Sequence, residues 1–302
     1  QRGHLPLAKL LLQHGADVKA ANNDDITALM LAAHGGRVDA AKLLLEQGAD
    51  VKAADNDGLT ALMLAAQRGH VDAAKLLLEQ GADVKAADND GVTALMFAAQ
   101  GGHVDAAKLL LEHGVDVKAA DNKGVTALML AAQGGHVDAA KLLLEHRAAV
   151  KAADNDGVTA LMLAAKGGHM GVAKLLLEQG ADSRAASNDG VTALMVAAQG
   201  NHGDVAKLLL EHRADVNAAD CKGITALLTA AQDGHVAIAN LLLKHGAQND
   251  ITALLAAAQG GHMDVAKLLL EQGAGASAAR QDGCTALMLA SVGGHMEVTK
   301  LL

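Results

Sequence analysis

The sequence is nearly empty of aromatic side chains. Phe97 stands alone in 302 residues, with no Trp and no Tyr. Ordinary globular cores take large blocks of buried area from aromatic rings. The composition therefore speaks against two conventional domains, the arrangement that length alone would favour. The same absence removes the stacking platforms that hold single-stranded nucleic acid and the Trp and Tyr anchors of many protein interfaces. Proline occurs once and cysteine twice. Cys221 and Cys284 make no disulfide framework and fit a reducing compartment. No apolar run approaches the ~18 residues of a membrane span, and no secretory leader is expected. We expect a cytoplasmic chain without membrane insertion, with an extracellular place left open for an assembly. The chain begins at Gln1 rather than Met, so a piece of a longer protein is expected.

What is present is small and apolar. Hydrophobic residues make up 51% of the chain, which excludes the low-hydrophobicity signature of disorder. The core must be built from Ala, Leu, Val and Met. The formal net charge is −9, a poor match for nucleic acid, which calls for a basic stripe. Fifteen histidines could alter that balance in an acidic compartment; their structural reading is as turn and surface residues.

Internal repetition dominates. Thr-Ala-Leu-Met or a close variant starts at Thr27, Thr60, Thr93, Thr126, Thr159, Thr192, Thr225, Thr252 and Thr285, at intervals of 33 residues except for 27 between Thr225 and Thr252. A Gly-His marker keeps the same beat at His4, His70, His103, His136, His169, His202 (there Asn-His), His235, His262 and His295, with Arg37 in the missing slot. A period of this size marks a stack of supersecondary units.

One unit reads as follows. Thr60 is a candidate N-cap, its hydroxyl placed to accept a first-turn amide. Ala61 to Gln67 makes a short helix, with Leu62, Leu64, Ala65 and Ala66 available for burial. Gly69 breaks it. Val71 to Gln80 makes a second helix, with Asp72 in its electropositive first turn and Leu76, Leu77 and Leu78 toward its end. Gly81 is placed for left-handed geometry after the helix, and 82–91 is a turn-forming loop. Such short helices are unstable alone. Each must bury a face on the neighbouring unit, giving a one-dimensional stack.

The motif DxxGxTxLxLAAxxGHxxxAxxLLxxGAD, at a 33-residue period, resembles the ankyrin repeat. The resemblance covers essentially the whole chain. It implies an all-α repeat solenoid of helix–turn–helix layers with β-hairpin-like loops, here a single array over 1–302 with about nine repeats and partial ends. It further implies a non-enzymatic protein-binding role on the concave face. The sequence departs from the family where Thr-Pro-Leu-His becomes Thr-Ala-Leu-Met. Ala61 lacks the preset φ of proline, and Met63 is expected to pack in place of the family histidine while losing its hydrogen bonds. Leu228 and Leu255 take that slot in two repeats. The loop shortened at 246–251 predicts a notch in the hairpin row. Arg147 and Arg213 replace the glycine after the second helix, where left-handed geometry costs a side chain ~1 kcal/mol.

Other chemistries find little support. Ladder histidines in layers ~10 Å apart cannot share a metal with bonds of ~2 Å. His14, His113, His146, His212 and His245 lie near second-helix C-termini, where positive charge is favourable. The Asp-Asn-Asp-Gly loops (Asp55 to Gly58, Asp88 to Gly91, Asp154 to Gly157) only faintly resemble calcium loops; that pattern needs an acid at Ala53 and a Glu at Leu64. The serines (Ser183, Ser187, Ser277, Ser291) sit at non-equivalent places, and glycine pairs such as Gly134-Gly135 lack the Lys-Ser/Thr of a phosphate loop. No cofactor, metal or catalytic group is expected.

By the same resemblance, recognition falls on hairpin tips and the exposed face of the first helix. Those positions are Asn56, Asp57, Leu59 and Gln67; Asn89, Asp90, Val92 and Gln100; Asn122, Lys123, Val125 and Gln133; Asn155, Asp156, Val158 and Lys166; and Asn188, Asp189, Val191 and Gln199. They barely vary and include no aromatic or Arg anchor. Two classes of partner follow: another protein held by this face, or copies of the chain stacked head to tail into a filament.

Overall fold

The computed structural model describes residues 4–249, 251–280 and 282–302. Asp250, within the shortened loop, and the ring of His4 lie outside the described residues. The chain divides into two compact units, 1–155 and 156–302, each an all-α stack of helix pairs.

In the first unit α1 is His4–Gln13. Four pairs follow: α2 (Ala28–His34) with α3 (Val38–Glu46), α4 (Ala61–Gln67) with α5 (Val71–Glu79), α6 (Ala94–Gln100) with α7 (Val104–Glu112), and α8 (Ala127–Gln133) with α9 (Val137–Glu145). First helices pack in one row (α2 on α4, α4 on α6, α6 on α8) and second helices in another (α3 on α5, α5 on α7, α7 on α9).

The second unit repeats this with α10 (Ala160–Lys166) and α11 (Met170–Glu178), α12 (Ala193–Gln199) and α13 (Gly203–Glu211), α14 (Ala226–Gln232) and α15 (Val236–Lys244), α16 (Ile251–Gly260) and α17 (Met263–Glu271), and α18 (Ala286–Val292) and α19 (Met296–Leu301).

The local chemistry explains each pair. Thr60 is extended, and its Oγ1 accepts the Met63 amide; the equivalent threonines cap α2, α6, α8, α10, α12, α14 and α18. Leu62, Met63, Ala65 and Ala66 are fully buried, as are Ala73, Ala74 and Leu77 of the second helix. Alanine on both helices lets the layers approach closely, and the methionine and leucine fill the space between rows.

The methionine does more than fill. Its Sδ accepts the N-cap amide in three repeats: Thr27 to Met30 at 3.4 Å, Thr60 to Met63 at 3.5 Å and Thr93 to Met96 at 3.5 Å. The expected loss of polar stapling is corrected there, because a thioether is a weak acceptor and the cap geometry aims the amide at it. The second helix ends at Glu79 rather than Gln80. Leu64, expected in the core, is only partly buried.

Glycine meets two needs here, left-handed backbone after the second helix and close approach where layers touch. Gly81 has φ +84°. Gly102 has φ +67°, and a Cβ there would meet Nδ1 of His136 at 2.5 Å. Arg147 and Arg213 adopt the same left-handed geometry, at φ 67° and 65°. Loops are closed by single antiparallel bridges such as Ala54 with Thr60 and Ala87 with Thr93.

In the shortened repeat, residues 245–250 connect α15 to α16, where 80–93 connect α5 to α6. No bridge forms there among the described residues. Asn217 instead brackets the loop, accepting the Gln248 amide at 2.8 Å and donating to the Gly246 carbonyl at 3.2 Å.

Candidate functional site: the hairpin and first-helix surface

The hairpin tips are built by carboxylates turned inward. In the first unit, Asp55 Oδ1 accepts the amides of Asp57 (3.0 Å) and Leu59 (2.8 Å). Asp88 does the same for Asp90 and Val92, and Asp121 for Lys123 and Val125. The first acid of two of the faint calcium motifs, Asp55 and Asp88, is thus spent on its own turn. Among the described residues no three His, Cys, Asp or Glu side chains converge to hold a metal ion.

A ladder then ties tip to tip. The Asn89 side-chain amide donates to the Asn56 carbonyl at 2.9 Å, Asn122 to Asn89 at 3.0 Å and Asn155 to Asn122 at 3.1 Å. Backbone rungs run alongside, from the Asn89 amide to the Asp57 carbonyl (2.9 Å) and from Asn122 to Asp90 (2.8 Å). In the second unit the Asn188 amide meets the Asp156 carbonyl and Cys221 meets Asp189, both at 2.8 Å. Gly58 and Gly91 have positive φ, and a Cβ at either would press within about 3 Å of the next tip.

A second ladder runs through the histidines. His103 Nε2 donates to the Gln67 carbonyl at 3.0 Å and His136 to Gln100 at 3.0 Å. In the second unit His202 reaches Lys166 at 3.0 Å, His235 reaches Gln199 at 3.2 Å and His295 reaches Gln259 at 2.9 Å. Each histidine thus satisfies an orphan carbonyl at the end of the preceding first helix. His14, His113, His146, His212 and His245 instead donate from Nδ1 to the carbonyl four residues back.

In the first unit Asn56, Asp57, Asn89, Asp90, Asn122, Lys123 and Asn155 are exposed at the tips, and Gln67, Gln100 and Gln133 are exposed at first-helix ends. Leu59, Val92 and Val125 are half-buried beneath the tips. In the second unit Asp156, Asn188, Asp189, Lys166 and Gln199 are exposed and Val158 and Val191 half-buried. The asparagines of the first unit therefore hold the scaffold, whereas the Asp57 and Asp90 side chains have no partner among the described residues.

One pocket of about 210 Å³ opens on this surface of the second unit. Its apolar wall is Val191, Met195, Val196 and Ile224; Thr229, Gln199, Gln232, Asp220 and Asp233 supply polar atoms. Of these only Val191 and Gln199 are among the expected positions. The missed signal was the fourth position of the first helix, which changes from repeat to repeat (Leu64, Phe97, Leu130, Leu163, Val196, Thr229, Ala256) and is partly exposed throughout.

Thin layers of paired short helices, bridged hairpin loops and cross-layer backbone rungs define a repeat stack. The family model described as "Ankyrin repeats (3 copies)" matches residues 1–88, 52–121, 80–154, 115–187, 148–220, 182–251, 214–274 and 227–302, and the chain belongs to the ankyrin repeat family. No curated protein matches it. Ankyrin repeats are protein-interaction modules, and no helix among the described residues is long and apolar enough to cross a membrane.

Proposed function

We propose that this chain is a non-enzymatic scaffold that holds another protein through the surface formed by hairpin tips and first helices. The observation that carries the reading is the division of labour at the tips. Asparagine rungs and inward carboxylates fix the backbone, while Asp57 and Asp90 project without a partner among the described residues. A surface ordered before contact loses less entropy on binding. The net charge of −9 favours a partner with a basic patch, in a reducing compartment. Affinity capture with the native chain, against one carrying Asp57→Lys, Asp90→Lys and Asp156→Lys, tests this. Loss of the captured partner from the variant is expected; identical partner profiles would count against recognition by this surface.

Head-to-tail self-assembly is a second reading, favoured by the near-identity of the layers: α3, α5, α7 and α9 all read VDAAKLLLE. Light scattering that grows with concentration would support a filament; a strict monomer at high concentration would sink it.

A further inference from the structure

The pocket between α12 and α14 exists because of what the sequence places there. At the fourth position of the first helix, Val196 and Thr229 stand where Leu64, Leu130 and Leu163 stand in other repeats. Trimming these side chains opens the floor between neighbouring first helices. At about 210 Å³ the space falls below the roughly 300–1,000 Å³ of a drug-sized ligand site. It fits one side chain of a partner.

The lining says which kind. Val191, Met195 and Ile224 give an apolar wall suited to an aliphatic stem. Two carboxylates line the same space, and no basic side chain does. Asp220 Oδ1 is held at 2.8 Å by the amides of Lys222 and Ile224, which fixes the group; its Oδ2 has no partner among the described residues. Asp233 caps α14, where other repeats have Gly101 or Gly134, and its carboxylate also has no partner among the described residues. We propose that this pocket receives a lysine or arginine side chain of the bound protein, its stem on the apolar wall and its cation between Asp220 and Asp233. The inference rests on the binding role proposed above and adds the chemical identity of the anchor.

A display library of random dodecapeptides, selected in parallel on the native chain, Thr229→Leu and Asp233→Gly, tests it. Both substitutions install residues that equivalent positions already carry, so both variants are expected to fold, and thermal melting checks this. The native chain should enrich Lys or Arg at one fixed peptide position about tenfold over Leu or Glu. Thr229→Leu should abolish that preference by filling the pocket, and Asp233→Gly should weaken it several-fold. Peptides that enrich without a basic anchor, or whose basic anchor persists unchanged on Thr229→Leu, would overturn the pocket assignment and leave surface binding standing. Failure of any peptide to enrich on any version would overturn both.

Discussion

His262 Nε2 donates to the Gln232 carbonyl at 2.8 Å across 30 residues, whereas the equivalent staples of the array span 36. The six-residue deletion therefore falls wholly in the loop. α14 and α16 stay packed, and the polar staple between their repeats is kept. Stability here resides in nearest-neighbour joints, and each joint is a set of separable bonds.

Removing one staple should show its worth. His103→Ala leaves the Gln67 carbonyl at the end of α4 without its donor. A loss of about 1 kcal/mol is expected in urea unfolding. His113→Ala, which removes an exposed contact within one helix end, should cost less than half as much.

Relieving the strained joints that follow α9 and α13 should help. Arg147 and Arg213 hold positive φ, which costs a residue with a Cβ about 1 kcal/mol. Arg147→Gly and Arg213→Gly should each raise the melting temperature by a few degrees. An unchanged or lower value for both would contradict the assignment of strain to these positions.

The methionine slot tests packing against bonding. Met63 is fully buried. Met63→Ala should cost about 2–5 kcal/mol through the cavity it leaves. Met63→Leu keeps the volume, as Leu228 and Leu255 do, and should cost under about 1.5 kcal/mol. A much larger penalty for leucine would assign the difference to the sulfur and the Thr60 amide.

Near the C-terminal layer, Asp282 should titrate low. Hydrogen bonds from the Arg280 guanidinium, then from the Cys284 amide, lower its carboxyl from 3.8 to about 2. The folded value lies below the unfolded one, so the stabilisation is present above pH ~4 and lost as pH falls through about 2. Carbon-detected NMR should give a midpoint near 2 in the native chain and a return toward the ordinary carboxylate range in Arg280→Ala.

Much of the fold was legible in the sequence. A period of 33 fixed the layers, Thr60 marked a helix start and Gly81 its left-handed exit, because these are local demands of the backbone. The ladders were not legible. Periodicity says that His103 and His136 are equivalent, but it does not say which acceptor either ring meets, since that acceptor sits in the preceding layer. The asparagines read as recognition residues because the resemblance places binding at the hairpin tips; Asn89 is exposed there and still bonded across the repeat. The pocket was not legible either, because the change to Val196 and Thr229 at the fourth helix position opens space only once neighbouring first helices are packed side by side.

Hydrogen–deuterium exchange of the chain with and without its captured protein partner tests the central claim most directly. The account predicts added protection at the tips and first helices, over 53–67 and 86–100 in the first unit and 186–199 and 219–232 in the second. Protection confined to second helices such as Val71–Glu79 and Gly203–Glu211 would contradict it.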